Sequence, residues 1–150
     1  TLAFITEMIY HSIQKRKDIQ FRIPQSENLK KDPPCDQNLT LFARVTEAIT
    51  EQALYSDPDL DLISLSRQLG IPRNEISRAV NEGSGEHFNC FLNRFRINAL
   101  KRLLENHEND DTSILTLAYK VGFNSKATLN RVFKSMEGIS PQEYRKLHSC

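Results

Sequence analysis

LISLSRQLG at 62–70 and ILTLAYKVG at 114–122 are two versions of one pattern, offset by 52 residues from Gly70 to Gly122. After the glycine the second copy carries one extra residue. ISRAV (76–80) then pairs with LNRVF (129–133), and Gly85 with Gly138, at an offset of 53. Each copy reads as a helix with apolar residues at helical spacing, then glycine and a large apolar residue (Ile71, Phe123). A polar residue or two follows, then a second helix with arginine on its outer face. Two short helices joined by a glycine-containing turn are the sequence form of a helix-turn-helix. One such match is common among helical proteins, whereas two in register about fifty residues apart mark an internal repeat.

Between the copies lies EHFNCFLNRFRINALKRLLEN (86–106), with Phe88, Phe91, Leu92, Phe95, Ala99, Leu100, Leu103 and Leu104 on a continuous stripe. At 1.5 Å per residue this is a helix of roughly 30 Å, and its wide stripe suits a rod on which both units pack. The Phe88–Phe95 cluster reads as core, not as a platform for stacked bases. Downstream, Ser140-Pro141-Gln142-Glu143 opens a last helix, with serine at the N-cap, proline at the first helical position and glutamate closing a capping box. Upstream, LTLFARVTEAITEQAL predicts a helix over 40–55, its stripe formed by Leu41, Val45, Ala48, Ile49 and Leu54. Residues 15–38 are polar, lose the period and close on Pro33-Pro34, so they read as linker. Residues 1–14 regain helical spacing through Leu2, Ile5, Ile9 and Ile13. Short alternating runs rich in Val, Ile, Thr and Tyr are absent. The expected fold is all-α: two helix-turn-helix subdomains on a long central helix (39–150), with an extra N-terminal helix and linker (1–38).

Composition narrows the function. A 150-residue chain with 39% hydrophobic and 26% charged residues is that of a soluble globular domain. Three scattered cysteines, Cys35, Cys90 and Cys150, form no disulfide framework and suit a reducing interior. No run of eighteen apolar residues exists. Lys15, Arg16 and Lys17 follow the first apolar stretch, the reverse of a signal peptide. His87 and Cys90 sit one turn apart without further ligands, and His148 with Cys150 has no more support, so no metal is expected. No nucleophile-base-acid set, carboxylate pair or glycine-rich phosphate loop can be placed. Neither an enzyme nor a cofactor is expected.

The charge is uneven although the net formal value is only +1. Residues 112–150 carry Lys120, Lys126, Arg131, Lys134, Arg145 and Lys146 against Glu137 and Glu143. Residues 57–83 carry Arg67, Arg73 and Arg78 against Asp57, Asp59, Asp61, Glu75 and Glu82. Double-stranded DNA would therefore be gripped chiefly by the second unit. On the first unit's second helix Ile76, Ala79 and Val80 face inward, leaving Asn74, Ser77, Arg78 and Asn81 outward. On the second, Leu129, Val132, Phe133 and Met136 face inward, leaving Lys126, Ala127, Asn130, Arg131 and Lys134 outward. Thr128 joins this second DNA-contacting set. Arginine can bind guanine through two hydrogen bonds and asparagine can do so with adenine, so these are the residue types direct readout needs. Successive major grooves on one face of B-DNA lie about 34–36 Å apart, a separation that a rod of roughly 30 Å between the two helices could bridge.

At these residues the chain resembles a known family. LSRQLGIPRNEISRAVNEGSGEHFNCFLNRFRINALKRLL followed by ILTLAYKVGFNSKATLNRVFKSMEGISPQEYRK looks like the DNA-binding domain of the AraC/XylS family of bacterial transcription regulators. The likeness covers roughly 57–147, and the helix at 40–55 is similar to the family's first. It implies seven helices, two recognition helices in successive major grooves, and activation by contact with RNA polymerase. It also places base-contacting positions on Asn74, Ser77 and Arg78, and on Lys126, Ala127, Asn130 and Arg131. Ala127 stands where the family often has a polar residue, and Glu75 adds repulsion near phosphates. A cytoplasmic bacterial regulator follows from the resemblance.

The opening helix keeps three readings. It packs on the domain, it pairs with itself in a homodimer, or it ends an inner-membrane sensor whose basic flank, Lys15-Arg16-Lys17, lies on the cytoplasmic side. Thr1 stands where a natural start gives Met, so a longer parent is expected. A competing class for the whole is a protein-interaction module that kept the fold and lost DNA, an alternative that the acidic first unit raises.

Overall fold

The computed structural model describes residues 36–148, with side chains from Asn38 onward; the expected helix at 1–14 and most of the linker lie outside this range. Seven α-helices and two single-turn 3₁₀ helices form the regular structure among the described residues, with no strand, so the all-α expectation holds. Helix α1 runs Asp36–Glu51 and is followed by a 3₁₀ turn at Leu54–Ser56. The first helical pair is α2 (Leu62–Leu69) and α3 (Arg73–Ser84). The rod α4 spans Phe88–Glu105, 18 residues and about 27 Å. A second 3₁₀ turn (His107–Asn109) leads to the second pair, α5 (Ile114–Lys120) and α6 (Lys126–Glu137), and α7 (Pro141–His148) closes the chain. No helix among the described residues is long and apolar enough to cross a membrane.

Two boundaries differ from the sequence reading. Helix α1 begins at Asp36, inside the stretch read as linker, because the polar residues directly after Pro33-Pro34 are already free to be helical. It also ends earlier, at Glu51. Ala53 is left-handed (φ 49°) and turns the chain, so Leu54 joins the 3₁₀ turn and no longer continues the helix. The turn brings Tyr55 onto Phe95 of α4, their rings stacked at 6.4 Å.

The repeat is visible in three dimensions. Gly70 and Gly122, both at positive φ, break the first helix of each pair at matching places. Burial then divides cleanly along α4. Its first half, Phe88, Phe91, Leu92 and Phe95, joins Val45, Ile49, Leu65, Ile76 and Val80 in one apolar core. Its second half, Ile97, Leu100 and Leu104, joins Leu117, Phe123, Leu129, Phe133 and Tyr144 in another. The phenylalanines are core, as expected: Phe91 meets Phe95 edge-on at 5.0 Å and Phe42 at 5.5 Å. One rod thus carries two independently filled units.

Caps set most helix starts. Ser113 and Ser125 accept from the amides of Thr116 and Thr128 at 3.0 and 3.2 Å. Asp61 and Ser64 cap α2 reciprocally, and Ser140 with Glu143 forms the expected box on α7 at 2.7 and 3.2 Å. Hydrogen bonds from Ser140 hold the Glu143 carboxyl below the usual glutamate range, and those from Ser64 do the same for Asp61. Tyr144 docks α7: its hydroxyl donates to Glu105, and Lys101 lies over its ring at 5.3 Å. Burial first, and Glu105 next, raise that phenol above its ordinary value.

Candidate nucleic-acid interface

The second helix of each pair presents one face to its core and one to solvent. On α3, Ile76, Ala79 and Val80 are fully buried, whereas Asn74, Arg78 and Asn81 are exposed and Ser77 is half-buried. On α6, Leu129, Val132 and Phe133 are buried while Lys126, Ala127, Asn130, Arg131 and Lys134 are exposed. Arg78 and Arg131, at matching positions of the repeat, make no hydrogen bond or ion pair among the described residues. Their guanidinium groups stand in water with all donors available.

Three placements differ from or refine the sequence reading. Met136 was expected inward by its spacing from Leu129 and Phe133. It is 38% exposed, because the core under α6 ends at Phe133, and the helix's last turn is held instead by Glu137 paired with Lys101 at 2.8 Å. Thr128 is half-buried, and its hydroxyl accepts from Ser125 at 2.9 Å as part of the cap. Arg145, one of the six basic residues of 112–150, is half-buried and donates to the Thr112 carbonyl at 2.9 Å. The exposed positive charge of the second unit therefore comes from Lys120, Lys126, Arg131, Lys134 and Lys146.

The first unit's acidity is also redistributed. Asp57, Asp59 and Asp61 lie in the segment ahead of α2, and only Glu75 and Glu82 stand on α3 itself. The helix that carries Arg78 is nearly balanced, with Arg73 and Arg78 against those two glutamates. Its start differs from that of α6 as well: Pro72 supplies no side-chain cap where Ser125 does. Among the described residues no group of three or more His, Cys, Asp or Glu could hold a metal ion, and Cys90 is exposed and free.

The residue that sequence reasoning passed over is Arg96. It is 8% exposed, between Phe95 of one core and Ile97 of the other. Its Nε donates to the Tyr55 carbonyl and its Nη2 to the Asp57 carbonyl, both at 2.8 Å. Burial lowers its pKa from the ordinary arginine value, opposed by the nearby Asp57 charge, and the group remains a cation. A signal existed: Arg96 is four residues from both Leu92 and Leu100, so it interrupts the apolar stripe with a charge.

Residues 65–147 match the family model described as a helix-turn-helix domain. An uncharacterized HTH-type transcriptional regulator of Staphylococcus aureus strain COL is 35% identical over 110 residues, 73% of this chain and 14% of that protein. The chain thus spans about one-seventh of the length of that relative. A solved protein of unknown function from Listeria innocua is 30% identical, with a TM-score of 0.62, covering 71% of this chain and 96% of that one. A transcriptional regulator with an AraC-type DNA-binding domain from Chromobacterium violaceum shares the fold at 19% identity and a TM-score of 0.58, covering 75% and 93%.

Proposed function

This chain belongs to the AraC-type helix-turn-helix family, and from that premise we propose that it is the DNA-reading part of a transcriptional regulator, with α3 and α6 in successive major grooves of one duplex. The observation that carries the reading is the pair of unpartnered, exposed arginines, Arg78 and Arg131, at equivalent positions of two equally built units. A duplicated recognition helix on a single chain fits an asymmetric or directly repeated site, which needs no dimer. Roles divide by chemistry. Arg131 and Asn130, with Arg78 and Asn74, are suited to base edges, and Lys120, Lys126, Lys134 and Lys146 to phosphates. Activation through contact with RNA polymerase is part of the same reading and rests on the family resemblance.

The test is a mobility-shift series on sites selected from a random library, repeated at increasing salt. The logarithm of affinity falls linearly with that of salt, as counterion release requires. Arg131→Ala weakens binding by about 1–3 kcal/mol and blurs the preference at one base position. An unchanged affinity and preference in that variant would remove α6 from the interface. Capture of a protein partner with no DNA affinity at low salt would replace the reading with the protein-interaction alternative.

A further inference from the structure

Two recognition helices read a bipartite site only if their separation is held, and the two cores do not hold it between them. Among the described residues each core is closed upon itself, and the rod α4 contributes to both. Among the described residues, a junction at Arg96 joins the units sideways. Arg96, at the changeover between the cores, donates to the Tyr55 and Asp57 carbonyls of the turn that belongs to the first unit. Gly122, the turn of the second helix-turn-helix, comes against the same place. A side chain there would fall within 3.0 Å of the Tyr55 carbonyl, the Arg96 Nε and the Ser56 backbone, and its φ of +92° suits glycine alone. The Tyr55 carbonyl thus accepts from the rod and lies close against the turn of the opposite unit.

We propose that Arg96 is a positioning residue that locks the first unit's 3₁₀ turn against the second unit's Gly122 turn, and thereby selects the spacing of the two half-sites the chain accepts. The inference rests on the DNA-reading function above for its consequence, but its mechanical half stands without DNA. The planar guanidinium fork bridges two carbonyls held by different residues of one tight turn, and an ammonium group cannot reproduce that geometry. Arg96→Lys keeps the buried charge and loses the fork, so it separates positioning from mere charge compensation.

The experiment has two arms on the 150-residue chain with Cys35, Cys90 and Cys150 changed to serine. In the first, spin labels at exposed Gln68 of α2 and exposed Lys120 of α5 report the distance between the units without DNA. The parent gives one narrow distance distribution, whereas Arg96→Lys and Arg96→Gln broaden it while helical circular dichroism is kept. Should the glutamine variant not fold, the lysine variant decides. In the second arm, each unlabelled protein, with Gln68 and Lys120 intact, selects sites from a random DNA library. The parent recovers half-sites at one spacing. The variants recover the same half-site sequences at relaxed spacing and lose at least about tenfold affinity for the parent's spacing, because simultaneous engagement is impaired. A lysine variant with the parent's distance distribution overturns the proposal, as does unchanged spacing selectivity. Absence of DNA binding by the parent overturns the functional reading instead, and the label distances still decide the mechanical claim.

Discussion

Gly83 lies inside α3, where glycine costs helix stability relative to alanine, and its backbone has no positive φ to excuse it. Its reason is packing: a Cβ would fall within 3.0 Å of three atoms of the Phe42 ring, which α1 lays across α3 at that point. Phe42 in turn meets Phe91 of the rod, so the ring has little room to retreat. Gly83→Ala is therefore expected to destabilise the fold by roughly 1–3 kcal/mol, against the gain its helix propensity alone would give. Urea unfolding followed by circular dichroism measures it, and a stabilised variant would contradict this packing. Gly83 and Phe42 are 41 positions apart, so no local periodicity could have linked them. Arg78 and Arg131 were legible for the opposite reason. Their exposure follows from helical spacing against Ile76, Val80, Leu129 and Phe133, all of which are buried as that spacing requires. Met136 marks where the rule stops, since spacing assigns a face but not the length of the floor beneath it.

Helix ends show the same division between local and distant causes. The Ser140–Glu143 box is written in four adjacent residues and was read directly from them. The early end of α1 depends on left-handed Ala53, a residue type that carries no turn signal. The caps also tie stability to pH. Asp61 and Glu143 are held low by their serine partners in the folded state. Their contribution is complete above the ordinary carboxylate range and is lost as pH falls through their folded values. Thermal melts taken from neutral pH downward should therefore show α2 and α7 loosening in acid. The double variant Asp61→Asn, Glu143→Gln keeps neutral acceptors at both caps and removes the titration. It should be less stable than the parent at neutral pH and flatten the acid slope. An unchanged slope would mean that other carboxyls dominate.

For the molecule as a whole, the duplicated pattern implies two like units on one rod, and both cores lie largely on the expected stripes, with Ile97 added to the second and Ala99 and Leu103 only partly buried. The Arg96 junction was not legible, because it joins one buried guanidinium to two carbonyls about forty residues back in the chain. On the proposed function, α3 and α6 swinging independently would read two unrelated short sites, whereas held together they would read one long site. On the proposed DNA-reading function, the positive charge exposed on the second unit makes it the expected phosphate anchor, with the first unit adding its contacts once the rod is aligned. Hydroxyl-radical footprinting of the chain on its selected site tests this directly. Two protected patches are expected on one face of the duplex, with centres about 10–10.5 bp apart, one groove for each unit. A single protected patch, or two on opposite faces, would contradict that placement.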